Sequence, residues 1–96
     1  MENKAENVKR SIISIQEALK IYTIDNSPNN YATSQINLST AFLLLAELEN
    51  EAENIDKAVN ALKEALKVYT EERYPEKFKL ITSTIQEIFK RSKESS

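Results

Sequence analysis

The feature that most constrains this chain is a repeat of 47 residues that runs through most of its length without a gap. The segment AENVKRSIISIQEALKIYTIDNSP, which begins at Ala5, aligns with AENIDKAVNALKEALKVYTEERYP, which begins at Ala52. Residues 5–42 and 52–89 share eleven identities, where about two are expected by chance. A repeat of this length indicates that one supersecondary unit occurs twice.

Both copies carry apolar residues at alternating steps of four and three, which is the spacing of one face of an α-helix. In the first half of each copy this stripe comprises Val8, Ile12, Ile15, Leu19 and Tyr22, and the equivalent Ile55, Val59, Leu62, Leu66 and Tyr69. In the second half it comprises Leu38, Ala41, Phe42, Leu45 and Leu48, and in the other copy Phe78, Ile81, Ile85, Ile88 and Phe89. Further apolar residues, Ile36, Leu43 and Leu44, predict that the second helix is covered on two sides.

Proline marks the connection inside each copy. Pro28 and Pro75 lack a backbone N–H and restrict the residue before them, so they interrupt a helix or delay its start. Segments 25–30 and 71–76 are therefore predicted to separate the two helices of each copy, and the second helix is expected to begin at or after the end of each segment.

The polar run ENEAEN, residues 49–54, connects the two copies. Asn50 or Asn54 is expected to cap a helix there. The sequence thus predicts an all-α fold of four antiparallel helices, in a single domain over residues 1–96. The repeat copies are 5–48 and 52–95.

The composition argues against most chemistries. The chain has no histidine, cysteine or glycine, which removes thiol chemistry, the usual proton shuttle and phosphate-binding glycine loops. We therefore expect no catalytic site, no cofactor and no metal site, and we expect the acidic residues Glu47, Glu49, Glu51 and Glu53 to form a solvated connection. A net charge of −2 and the absence of a long apolar run predict a cytoplasmic protein that binds neither nucleic acid nor membranes.

Three strings suggest a family. AVNALKEALKVY resembles the second helix of a tetratricopeptide repeat (TPR), NLSTAF resembles its first helix, and EALKVYTEERYPEKF is similar to the long-helix type found in archaeal and cyanobacterial proteins. The period is 47 residues against about 34 in the family, and the usual small residue is Ser39 in one copy but Gln86 in the other. The resemblance implies two TPR-like helical hairpins, a fragment of an α-solenoid.

The resemblance also implies a groove formed by the first helices of the repeats. The residues that it places in this groove are Thr33, Ile36, Asn37, Thr40 and Leu44, continued by Leu80, Ser83, Thr84, Glu87, Lys90 and Arg91. Asn37 matches a position where the amide holds a bound peptide backbone, and Lys90 and Arg91 offer cations to a carboxylate. The alternatives are a solvent-facing asparagine and cations that suit a helix C-terminus.

The predicted function is therefore not an enzyme but a protein-binding scaffold for a peptide or a partner helix. The implied repeat phase leaves a half-repeat at each end, which predicts exposed apolar surface and a homo-oligomer, most simply a two-fold dimer. The alternative is a self-assembling structural homo-oligomer with no separate ligand. A third interpretation is a fragment of a longer repeat protein.

Overall fold

The structure, a computed structural model, describes residues 3–95. Four α-helices account for most of this range: α1 (Lys4–Ile21), α2 (Pro28–Leu48), α3 (Glu51–Ala65) and α4 (Pro75–Ser95). The all-α prediction is confirmed. None of these helices, within the residues described, is both long and apolar enough to cross a membrane.

The helices begin at equivalent positions of the repeat. Lys4 and Glu51 are 47 residues apart, and so are Pro28 and Pro75. The prolines are thus the first residues of α2 and α4, so α2 begins two residues before the end of segment 25–30, and α4 begins one residue before the end of segment 71–76. A proline is tolerated at the first position because the N–H that it lacks has no partner inside the helix there.

The first halves of the two copies differ at their ends. The Asn3 side chain caps α1 by accepting hydrogen bonds from the backbone N–H groups of Ala5 and Glu6. Asn50, its equivalent before α3, makes no such bond and adopts the left-handed conformation, with φ 47° and ψ 53°. Only two residues separate α2 from α3, and this conformation reverses the chain within that short connection.

Long-range contacts show that consecutive helices run in opposite directions. Tyr31 at the start of α2 contacts Glu64 at the end of α3, and Lys9 near the start of α1 pairs with Glu49 just after α2. α2 packs closely against both α1 and α3, whereas α4 makes a much smaller contact with α3. α2 is therefore the central helix.

The core divides into two clusters. The first cluster, between α1, α2 and α3, consists of Ile12, Leu38, Ala41, Phe42, Leu45, Ala58 and Ala61. The second cluster, between α2, α3 and α4, consists of Ala32, Val59, Leu62, Ala65, Tyr69, Ile81 and Ile88. Because α2 and α3 contribute to both clusters, their contact joins the two halves of the core.

Small side chains allow α2 and α3 to approach closely. Ala32, Ser39 and Ala46 recur every seven residues on α2 and are all buried, with Ser39 only 2% exposed. Seven residues are about two helical turns, so these side chains form one stripe along the helix. Ala58 and Ala65 are fully buried on α3. A larger side chain in either row would push the helix axes apart.

The predicted stripes are confirmed where a neighbouring helix covers them. Leu38, Phe42 and Leu45 are buried as expected, but Leu48 of the same stripe is 45% exposed. Leu44, which was predicted both on the second side of α2 and in the groove, is 50% exposed. Both leucines line a shallow pocket with Lys4, Asn7 and Val8 of α1, so α1 covers them only in part.

The repeated tyrosines show the same effect. Tyr69 is 3% exposed, with its ring 5.0 Å from that of Tyr74 and beneath the Lys77 ammonium group. Tyr22, its equivalent on the predicted stripe, is 37% exposed, so only the second copy buries this position of the stripe. Asn30 stands where Lys77 covers Tyr69, and it offers no cation to the Tyr22 ring.

The close contact at Ser39 generates a first prediction. Ser39→Gln should lower the free energy of unfolding by at least about 2 kcal/mol, because it separates the helices and buries an amide. The reciprocal change Gln86→Ser, at the equivalent but exposed position, should alter it by less than about 0.5 kcal/mol. Urea unfolding followed by circular dichroism measures both changes, and equal effects would contradict this role of Ser39.

The backbone of Asn50 generates a second prediction. Asn50→Ala should lower the free energy of unfolding by about 1 kcal/mol, because a Cβ without a compensating polar group disfavours the left-handed conformation. Asn50→Gly should leave it unchanged or raise it by up to about 1 kcal/mol. Thermal unfolding of the two variants provides the comparison. Alanine tolerated as well as glycine would show that the connection does not need this conformation.

Candidate partner-binding face

The groove residues predicted on α2 form one row on its surface. Thr33, Asn37, Thr40 and Leu44 follow one another at steps of three and four residues, and all four are exposed. Ile36 differs, because it is half-buried and packs against the second cluster. The structure therefore brings four of the five α2 residues together on an open face.

The residues predicted on α4 form the equivalent row. Thr84, Glu87 and Arg91 are spaced like Asn37, Thr40 and Leu44, and Lys90 lies beside them. Glu87, Lys90 and Arg91 are exposed, while Thr84 is half-buried. Leu80 and Ser83, at the start of this row, are exposed. Leu80 is 68% exposed, more than Leu44 and Leu48 on α2.

The two rows run in the same direction but do not touch through their backbones. The end of α4 lies with the end of α2 and the start of α3 around one cleft, so α4 is antiparallel to α3 and parallel to α2. Within residues 3–95, no Cα of α2 lies within 8 Å of a Cα of α4. Side chains join the helices instead, because Ile36 on α2 and Ile85 on α4 pack against the same cluster.

A cleft of about 270 Å³ separates the C-terminal halves of these two helices. Its lining comes from three helices and comprises Leu43, Ala46, Glu47, Glu51, Ile55, Ile88, Arg91 and Ser92. Arg91 belongs to both the predicted row and the cleft. Seven of the eight lining residues were not predicted, because the cleft depends on the angle at which α4 leaves α3.

Hydrogen bonding distinguishes the polar residues of the two rows. The Thr40 hydroxyl donates to the Ile36 carbonyl at 3.2 Å, and the Thr84 hydroxyl donates to the Leu80 carbonyl at 2.8 Å. Such bonds back to the preceding turn satisfy the hydroxyl protons within the helix. The Asn37 amide makes no hydrogen bond within the part of the chain that the structure describes.

A contact that was not predicted ties the start of α2 to the end of α3. The Tyr31 hydroxyl donates to Glu64 Oε1, and Lys67 Nζ lies 2.7 Å from the other carboxylate oxygen. Glu17 and Lys20 form the equivalent ion pair in the first copy. The repeated Glu–Lys spacing was visible in the sequence, but nothing in it indicated that Tyr31 reaches this carboxylate.

These contacts shift the acidities of all three groups. Hydrogen bonds from Lys67 and then from Tyr31 lower the pKa of Glu64. Burial, followed by the bond to Glu64, raises the pKa of Tyr31, and the bond to Glu64 also raises the pKa of Lys67. Each shift favours the protonation state found at neutral pH, so the network stabilises the fold and does not poise a group for proton transfer.

Two glutamates of the acidic connection between α2 and α3 form ion pairs, one with α1 and one within α3. Glu49 pairs with Lys9 at 3.1 Å and Glu53 pairs with Lys57 at 3.2 Å. The buried Asn54 donates its amide N–H to the Glu49 carbonyl at 2.9 Å. Of the two asparagines expected at this connection, Asn54 is therefore the one whose side chain bonds to its backbone, while Asn50 occupies the position before α3. Among the described residues, no three acidic side chains converge closely enough to hold a metal ion.

Comparison of the chain with models of protein families, with curated proteins and with solved structures finds no match. The TPR resemblance therefore rests on the residues quoted for it. The predicted partner-binding residues likewise stay a prediction, supported by the exposure and spacing described above.

The Glu64 contacts generate a third prediction. Glu64→Gln should lower the free energy of unfolding at pH 7 by about 1 kcal/mol, since it removes charge-assisted bonds at a partly exposed site. Because the folded-state pKa of Glu64 lies below its ordinary value of 4.5, this stabilisation is complete above pH 4.5 and is lost as the pH falls through the folded value.

Urea unfolding at a series of pH values measures this difference. Glu17→Gln is the matched control. Glu17 pairs with Lys20 as Glu64 pairs with Lys67, but among the described residues no tyrosine hydroxyl donates to Glu17. A difference between wild type and Glu64→Gln that persists unchanged at low pH would contradict the assigned cause.

Proposed function

We propose that this protein is a TPR-like protein-interaction module that binds a peptide or a partner helix across α2 and α4. The observation that carries this proposal is the open row of Thr33, Asn37, Thr40 and Leu44 on the central helix. The row combines an amide with no internal hydrogen-bond partner and a half-exposed leucine. An amide supplies both donor and acceptor groups, which is what recognition of a peptide backbone requires.

The packing of the helices supports the same function. α2 is held from two sides and is expected to be rigid, whereas α4 has a small contact with α3 and no backbone contact with α2. A segment laid between α2 and α4 contacts residues from both copies of the repeat. Binding of this segment would also hold α4 against the rest of the fold, because a ligand that binds only the folded state stabilises that state.

Self-assembly into a structural homo-oligomer is the second candidate. Phe89, the equivalent of the buried Phe42, is 47% exposed on α4, and this surface favours some association. Ile13 and Ile21 on α1 are also exposed, at 56% and 69%, although Ser11 and Ser14 stand where α3 has Ala58 and Ala61. The dimer expected from the sequence stays a prediction, and sedimentation equilibrium over a range of concentrations tests it.

The fourth prediction concerns Asn37. An array of immobilised random-sequence peptides is used to find peptides that the protein binds, and fluorescence anisotropy then measures their affinity. Asn37→Ala is expected to weaken binding by roughly tenfold, the loss that corresponds to about 1.4 kcal/mol of hydrogen bonding. Lys90→Ala added to it is expected to weaken binding further if the peptide carries a carboxylate near this end.

Asn60→Ala is the matched control. Asn60 is also exposed on a helix, but it lies on α3 beside Ala61 and away from the row on α2. Binding that is equally sensitive to both asparagines, or that is unchanged by Asn37→Ala together with Lys90→Ala, would place the ligand elsewhere.

A further inference from the structure

We propose that the cleft between α2, α3 and α4 takes an apolar side chain from a basic segment of the bound partner, with a lysine or arginine next to that side chain. This inference rests on the proposed function, because it names the chemistry of the segment that binds across α2 and α4. Three observations carry it: the size of the cleft, its apolar walls, and its two unpaired carboxylates.

The size and walls of the cleft suit a single side chain. Its volume of about 270 Å³ is below the range of about 300–1,000 Å³ that is typical of pockets for free small molecules. Leu43, Ala46, Ile55 and Ile88 supply apolar walls from all three helices. An aliphatic or aromatic side chain of a peptide fits such a space and gains stability by leaving water.

Carboxylates at the edge of the cleft define the charge of the partner. Of the four glutamates around the connection, Glu49 and Glu53 pair with lysines of this chain. Glu47 and Glu51 line the cleft and make no ion pair within residues 3–95. Arg91 is the one cation among the eight lining residues, so the lining itself carries a net negative charge that attracts a lysine or arginine. Lys4 lies near Glu47 in a neighbouring pocket, which leaves Glu51 as the carboxylate farther from the cations of this chain.

The position of Glu47 is not explained by helix stability. It lies in the last turn of α2, which contains no basic residue. Carbonyl groups at a helix C-terminus carry partial negative charge and disfavour an acidic side chain there. The carboxylate and the helix end therefore add to the same negative potential beside the cleft.

The cleft adjoins the row that contains Asn37. Thr40 and Glu47 are two turns apart on the same side of α2, and Glu87 and Arg91 are one turn apart on α4. A segment held at Asn37 and running toward the C-terminal ends of these helices therefore reaches the cleft without leaving the surface.

A degenerate peptide library tests this inference. Bound peptides should be enriched in an aliphatic or aromatic residue within two positions of a lysine or arginine. For an enriched peptide, the double variant Glu47→Gln/Glu51→Gln should weaken binding by about three- to tenfold, as expected for two exposed ion pairs. Glu53→Gln, which removes a paired carboxylate from the same connection, should change binding by less than about twofold.

Methyl NMR of the labelled protein locates the apolar side chain. Titration with the same peptide should shift the methyl resonances of Leu43, Ile55 and Ile88, while Ile13 of α1, which lines a separate pocket, serves as the reference. All the substituted glutamates are solvent-accessible, and circular dichroism confirms that the variants fold.

The outcomes separate this inference from the proposed function. Enrichment of acidic peptides, or peptides whose binding needs Asn37 but ignores Glu47 and Glu51, would overturn the cleft assignment and leave the interaction module standing. Methyl shifts confined to Ile13 would also overturn it. Failure of every library peptide to bind would overturn both proposals.

Discussion

The close contact between α2 and α3 is the constraint on which the rest of this structure depends. Ser39 on one helix and Ala58 on the other are almost completely buried, and side chains of this size let the helices meet along their length. Both core clusters include residues of these two helices. The contact therefore fixes α2 in the centre, sets which of its sides α1 covers, and leaves the row of Asn37 and Thr40 open to a partner.

The repeat is used differently in its two copies, and the differences follow from what each helix touches. Where α3 presents Ala58 to α2, the equivalent residue of α1 is Ser11, which is exposed and bonds within its own helix to the Asn7 carbonyl. Where α2 presents Ser39 to α3, α4 has the exposed Gln86. Polar or large residues at these outer positions keep the free faces compatible with water.

Much of the fold was predictable because helical spacing and the repeat act over short distances in the chain. The stripe of Leu38, Phe42 and Leu45 is buried as predicted. The 45% exposure of Leu48, which continues this stripe, was not predictable, because hydrophobicity alone does not tell which sides of a helix have neighbours. The Tyr31–Glu64 contact and the cleft beside Glu47 join residues from different helices, so they depend on packing angles that a periodic pattern does not specify.

The central claim is that α2 is held rigidly and that a partner bridges it to α4, which has fewer backbone contacts with the rest of the fold. Hydrogen exchange of the backbone amides, with and without a bound library peptide, tests this most directly. The free protein should show its slowest exchange in α2 and α3 and faster exchange in α4, and the peptide should slow exchange most in the C-terminal halves of α2 and α4. Slow exchange throughout free α4, or protection by the peptide that is confined to α1, would contradict the account.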